Sequence, residues 1–187
     1  MTDTELIADI KRDSRSAQEL LVRRHYKLVY TFLYRLTGDK EMAMDLTQET
    51  FIKILNNISK YKPSSNFKSW LLTVASNLAK DYLKSKAHKE SQNTYELFEN
   101  DMRTEKSVSF IFEKNEKRKE IKMALEGLPD FQREAILLKY YNDMKISEIA
   151  LITNASVPPV KSRLRQGLDK LKSYFQRGEI DERNSNG

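Results

Sequence analysis

Asp45 and Glu49 stand one helical turn apart in the run Asp45-Leu46-Thr47-Gln48-Glu49, so on a helix both carboxylates and Gln48 share a face. Three chemistries fit that face. Two carboxylates at this spacing can ligate a divalent ion in a nuclease, although such a site needs further ligands and the neighbouring sequence offers none. They can also be a solvated surface, or a docking face held to a partner protein by charged hydrogen bonds.

A second set of residues lies near the end of the chain. Lys161, Ser162, Arg165, Gln166 and Asp169 share one side of a helical pattern, opposite Val160, Leu164, Leu168 and Leu171. Between Lys145 and Arg177 seven basic residues face two acidic ones, a net +5. Lysine and arginine neutralise phosphates, while serine, arginine and glutamine are suited to base edges. Ahead of this helix come a short apolar segment, Ile146 to Ile152, and a turn, Thr153 to Ser156, the spacing of a helix-turn-helix. That coincidence favours DNA binding over a merely solvated basic face.

A third set combines aromatic and basic residues: Phe67, Trp70 and Tyr82, with Lys80, Lys84, Lys86 and Lys89 against Asp81. Positive charge beside aromatic rings is how single-stranded nucleic acid is held. Trp70 also falls on the apolar side of its helix, which favours a place in the core or at its rim.

Composition narrows the classes further. The chain has 187 residues, a net charge of +6, 39% apolar and 32% charged residues, five glycines and four prolines. So few turn residues predict an all-α protein. Cysteine is absent, which excludes disulfides, thiolate metal sites and a cysteine nucleophile, and two histidines are too few for a multi-histidine site. No cofactor is expected. The amino-terminal run is acidic and mixed rather than a leader, and no apolar run approaches the ~20 residues a membrane helix needs. A cytoplasmic protein without membrane insertion is the expectation.

The elements that position these residues can be placed by their caps and stripes. Ser16 and Glu19 have the spacing of a capping box, followed by Val22, Tyr26, Val29, Leu33 and Leu36 on one face and a stop at Gly38. Asp39 is suited to cap a helix whose Ala43, Leu46, Thr50, Ile54 and Ile58 form a stripe. Pro63 and Ser64-Ser65-Asn66 break the chain before a third helix with Phe67, Trp70 or Leu71, Val74, Leu78 and Tyr82 inward. Asp130 is predicted to cap the run beginning Phe131-Gln132-Arg133. From Glu90 to Glu116 the net charge is −4, the composition of a solvated linker, with Tyr95, Leu97, Phe98 and Phe110 to Phe112 as docking anchors. The division expected is a helical bundle over 1–87, an acidic flexible linker over 88–115, a helix-turn-helix domain over 116–177 and a disordered tail over 178–187.

Residues Asp45-Leu46-Thr47-Gln48-Glu49-Thr50-Phe51-Ile52, then Phe67-Lys68-Ser69-Trp70-Leu71 and Asn77-Leu78-Ala79-Lys80-Asp81-Tyr82-Leu83, resemble region 2 of bacterial sigma factors. The similarity is strongest to the extracytoplasmic-function (ECF) class. Leu128-Pro129 with Arg133, then Glu148-Ile149-Ala150, then Val160-Lys161-Ser162-Arg163-Leu164, resemble region 4 of that class, in the same order along the chain.

The resemblance implies a non-enzymatic initiation subunit that binds core RNA polymerase and promoter DNA. It implies polymerase docking through Asp45, Gln48, Glu49 and Phe51. It assigns capture and melting of the −10 element to Trp70, Asn77, Lys80 and Lys84, and reading of the −35 element to Lys161, Ser162, Arg163, Arg165 and Gln166. An inhibitory anti-sigma factor is a partner that the family commonly has.

Three features depart from the family pattern. Pro158-Pro159 stiffen the start of the recognition helix, Lys145 replaces a capping serine, and Gln166 replaces a frequent basic residue, opening adenine-directed contact. The competing readings are a stand-alone dimeric helix-turn-helix regulator and, from another class, a metal-dependent nuclease using Asp45 and Glu49.

Overall fold

The computed structural model describes the backbone of residues 1–62, 66–92 and 109–185, and the side chains of 1–62, 66–87 and 118–177. Among the described residues every regular element is helical. The first, α1 (Asp3–Ile10), is opened by a reciprocal capping box: Thr2 N donates to Glu5 Oε2 at 2.7 Å and Glu5 N to Thr2 Oγ1 at 3.3 Å. It buries Leu6, Ile7 and Ile10 against α2 (Arg15–Thr37).

The cap of α2 is Ser14, whose hydroxyl accepts from Ala17 N at 3.4 Å, and not Ser16 as the spacing predicts. The reason is the turn ahead of it. Asp13 adopts a left-handed φ of 64°, which starts the helix two residues early, and Ser16 then only pairs with the Ser14 hydroxyl. The buried side of α2 is correspondingly Leu21, His25, Val29, Phe32, Leu33 and Leu36, with Val22 and Tyr26 at its edge. Gly38, at φ 74°, closes α2 as expected, and Asp39 caps α3 (Lys40–Asn56) through Met42 N at 3.0 Å.

Helix α3 buries Ala43, Leu46, Thr47, Thr50, Phe51 and Ile54. Its buried threonine hydroxyls donate back to Ala43 O and Leu46 O, both at 2.6 Å, so neither hydroxyl is stranded in the core. A 3₁₀ turn (Ile58–Lys60) leads toward α4 (Phe67–Gln92). The break predicted at Pro63-Ser64-Ser65 lies outside the described residues.

The buried face of α4 is Phe67, Leu71, Leu72, Ala75, Leu78 and Ala79, whereas Trp70, Val74 and Tyr82 are half-buried. The face is turned from the predicted stripe because α4 packs on two sides, against α2 and α3 and also against α7. Each fully buried leucine here contributes about 2 kcal/mol. Truncating Leu72 to alanine would cost about 3 kcal/mol, since neighbours on both sides hold the cavity open.

The chain resumes with α5 (Ser109–Glu126), so the expected linker is helical at both of its ends; its anchors Tyr95, Leu97, Phe98 and Phe110 to Phe112 lie outside the described side chains. Next, α6 (Asp130–Ile136) starts at Asp130 itself. Pro129 holds the cap position without a side-chain bond, and Asp130 instead approaches Arg133 at 3.7 Å. A π-helical turn (Leu137–Tyr141) follows. Asn142 fixes it, donating from both N and Nδ2 to Leu137 O at 3.1 and 3.0 Å.

Helix α7 (Ile146–Ile152) has the predicted bounds. Lys145 cannot supply a capping oxygen, yet Glu148 Oε2 still accepts from Lys145 N at 2.8 Å, so half of the capping box survives. Pro158 and Pro159 fall in the first turn of α8 (Val157–Ser185), where amides have no intrahelical partner. Val160 and Leu164 are buried, but Leu168 is 41% exposed. Gly167 takes the contact instead, because a Cβ there would stand 3.1 Å from Ile136 Cγ1. Helix α8 continues to Ser185, past residue 177 where the sequence predicts a tail.

The two halves touch directly, and one apolar core runs through both. Arg133 fastens them. Its guanidinium donates to Leu125 O, Glu126 O and Leu128 O in its own half and to Leu36 O at the end of α2, all at 2.8–2.9 Å.

Candidate nucleic-acid interface

A cleft of about 570 Å³ opens between the end of α3, the 3₁₀ turn and α4, with Lys53, Lys60, Tyr61, Trp70, Asn77 and Asp81 among its walls. Trp70 is half-buried and held by rings: its centroid is 5.2 Å from Tyr61 and 6.0 Å from Phe67. It therefore belongs to the core rim and to the cleft at once. Asn77 is exposed two turns along from Trp70, and Asp81 one turn further. Aromatic wall, lysine rim and exposed amide are the components a pocket for an unstacked base requires.

Lys80 and Lys84 are not part of these walls. Lys84 is exposed beyond the cleft. Lys80 points to the other half, where its Nζ lies 3.1 Å from Glu134 Oε1 and 3.5 Å from Thr153 O. Ser76 donates to the same Glu134 oxygen. At the front of α4, Lys68 Nζ donates to Asn142 O at 2.6 Å, and Asn66 and Ser69 donate to Glu148 Oε1 at 2.9 and 3.1 Å. The amide bond from Lys145, outweighing partial burial, and these two side-chain donors hold the Glu148 carboxyl below the usual glutamate range.

On α8, Lys161, Arg165 and Gln166 are exposed while Ser162 and Arg163 are half-buried. These side chains are partly prearranged. Gln166 Nε2 donates to Ser162 Oγ at 3.1 Å, and Gln166 Oε1 accepts from Gln132 Nε2 at 3.0 Å. The Arg163 guanidinium lies 5.7 Å from the centre of the Phe131 ring. Gln132 is 3% exposed, and spacing along α8 could not reveal it, because it lies 34 residues earlier.

On α3, Asp45, Gln48 and Glu49 are exposed along one face, with Glu49 paired to Lys53 at 3.0 Å. Among the described residues no group of three or more histidine, cysteine, aspartate or glutamate side chains could hold a metal ion. Phe51 is 5% exposed and stacks on Tyr26, the first of a ladder with Tyr30 and Tyr34 along α2. Ile52, at 58% exposure, is the apolar residue that accompanies the charged face, at i+3 from Glu49.

Residues 21–89 match the family model for Sigma-70 region 2, and residues 118–171 that for Sigma-70 region 4. The chain is 34% identical over 163 residues to the ECF RNA polymerase sigma factor SigM of Bacillus subtilis, covering 82% of this chain and 92% of SigM. The chain belongs to the ECF sigma factors. It is thus a promoter-directing subunit of RNA polymerase, with the region 2 match falling within α2 to α4 and the region 4 match within α5 to α8. It is also 28% identical over 155 residues to the ECF sigma factor SigE of Mycolicibacterium smegmatis, covering 83% of this chain and 60% of that relative's length. The sigma factor RpoE of Bartonella quintana, solved with the anti-sigma factor NepR, shares the fold at a TM-score of 0.70 and 20% identity, over 84% of this chain and 96% of that one. Among the described residues of this ECF sigma factor no helix is long and apolar enough to cross a membrane.

Proposed function

We propose that the α3 face of Asp45, Gln48, Glu49 and Ile52 docks on core polymerase, with Phe51 acting through Tyr26. In this reading the cleft takes a base of the −10 non-template strand onto Trp70 and Asn77, and Lys80 and Lys84 hold its backbone. Lys161, Ser162, Arg163, Arg165 and Gln166 read the −35 element on duplex DNA. The observation that carries this reading is the meeting of Trp70 and Asn77 in one lysine-rimmed cleft. The protein acts in the cytoplasm, without catalysis or cofactor of its own, and an anti-sigma factor is its inhibitory partner.

Reconstitution tests the proposal. Purified chain and sigma-free core polymerase should co-elute from a gel-filtration column and give discrete start sites on a genomic fragment library. Asn77→Ala should impair promoter opening with polymerase binding intact. Failure to co-elute, with tight binding to duplex DNA alone, would point to a stand-alone regulator instead.

A further inference from the structure

The cleft contains more polar chemistry than base capture needs. Asn57 also lines it, but that amide is committed: Nδ2 donates to Lys53 O at 2.9 Å and Oδ1 accepts from Lys60 Nζ at 3.1 Å. Lys53 is engaged by Glu49. Asn77 and Asp81 differ. Both are exposed, both line the cleft, and neither has a hydrogen bond or ion pair to a described residue. At i and i+4 they lie one turn apart on the same face of α4.

The two groups are not equivalent. An amide carries a donor and an acceptor and can turn over to exchange them, whereas a carboxylate only accepts. Asn77 can therefore satisfy a ring nitrogen whether or not it carries hydrogen. Asp81 can satisfy only a donor. The Watson–Crick edges of cytosine and adenine place an exocyclic amino group beside an unprotonated ring nitrogen. Thymine and guanine place a carbonyl oxygen beside a ring N–H. Against Asp81 the amino group makes a charge-assisted hydrogen bond, while the carbonyl sets two acceptors face to face.

We infer that Asp81 is a specificity-determining residue that makes the cleft select an amino base, cytosine or adenine, over a keto base, thymine or guanine. The inference rests on the base-capture reading above. A cleft of about 570 Å³ admits either ring size, so shape leaves the choice to polarity. Discrimination of about tenfold is expected, the low end for a well-placed pair at a base edge.

The test uses holoenzyme assembled from core polymerase and the full chain. It selects bubble DNA whose non-template strand is randomised over the melted segment, and the retained strands are sequenced. With the unaltered chain one position should be enriched about tenfold in cytosine plus adenine. Asp81→Asn should bring that ratio to about twofold or less, because the new amide also turns over. Asn77→Ala should weaken base preference at the same position.

Two results overturn the inference, and they are distinguishable. If Asn77→Ala erases a preference at one position but Asp81→Asn leaves the amino-to-keto ratio unchanged, base capture stands and the role of Asp81 falls. If no position depends on Asn77, base capture itself fails and the role of Asp81 with it.

Discussion

Glu134 of α6 and Lys80 of α4 meet across the two halves of the chain, Oε1 to Nζ at 3.1 Å, with the Ser76 hydroxyl on the same carboxylate oxygen. Glu134 is 3% exposed, whereas the lysine end of the contact is partly open to solvent. In the proposed function Lys80 faces a DNA phosphate, and here a carboxylate occupies that place. The contact thus covers one side of α4, while Lys161, Arg165 and Gln166 on α8 stay exposed.

Glu134→Gln should favour an open form. The amide still accepts from Ser76 but loses its charge toward Lys80, a loss of about 1 kcal/mol because the lysine is partly solvated. The chain has no cysteine, so the pair K27C and K170C can be labelled uniquely. Energy transfer between the labels should fall in the E134Q chain, and an unchanged distance would show that Glu134 does not hold the halves together.

Arg133→Lys should destabilise the fold by about 2–3 kcal/mol in urea unfolding. A lysine retains the charge but cannot place donors on four carbonyls spread over two halves of the chain. Buried carbonyls left unpaired account for the cost. A change under about 0.5 kcal/mol would mean that water replaces the guanidinium.

Gln132→Leu should leave the stability of region 4 near its starting value while broadening base preference at the −35 position that the proposed function assigns to Gln166. The substitution removes a buried Oε1 that has no hydrogen-bond partner among the described residues, and it also releases Gln166 from one of its two tethers. Selection of duplex −35 sequences by holoenzyme reads the outcome. An unaltered preference would separate Gln132 from recognition.

If the α3 face docks on core polymerase as proposed, Ile52→Ser should weaken that binding by about tenfold, with unfolding unchanged because the side chain is exposed. Equal affinity in a competition assay would remove Ile52 from the interface.

Asp3→Asn should loosen α1 in a pH-dependent way. Burial alone would raise the Asp3 carboxyl, but hydrogen bonds and charge from Arg24 and His25, at 2.7 and 2.9 Å, hold it below the usual aspartate range. Its stabilisation is therefore present above the unfolded carboxylate range and disappears as pH falls through the lowered folded value. The difference in stability between the two chains should be about 1 kcal/mol at neutral pH, reduced by the solvated edge of the pair, and vanish in acid. A constant difference would place the effect in packing instead.

Much of this protein is legible in the sequence. Gly38, Asp39, the Ile146–Ile152 helix and the turn after it are set by interactions spanning a few residues, which spacing reveals. The same holds for the face shared by Asp45, Gln48 and Glu49, and for the regions that mark the family. The departures have local causes of another kind: a left-handed Asp13 moves the cap of α2 to Ser14, and Gly167 displaces Leu168 from the α6 contact. Neither is visible to a count of apolar positions. What only the tertiary structure decided is which sides of α4 are covered and by what. Glu134, Glu148 and Asn142 reach it from 58 to 79 residues away, and contacts at that separation depend on the docking of whole helices, which no pattern within one helix encodes.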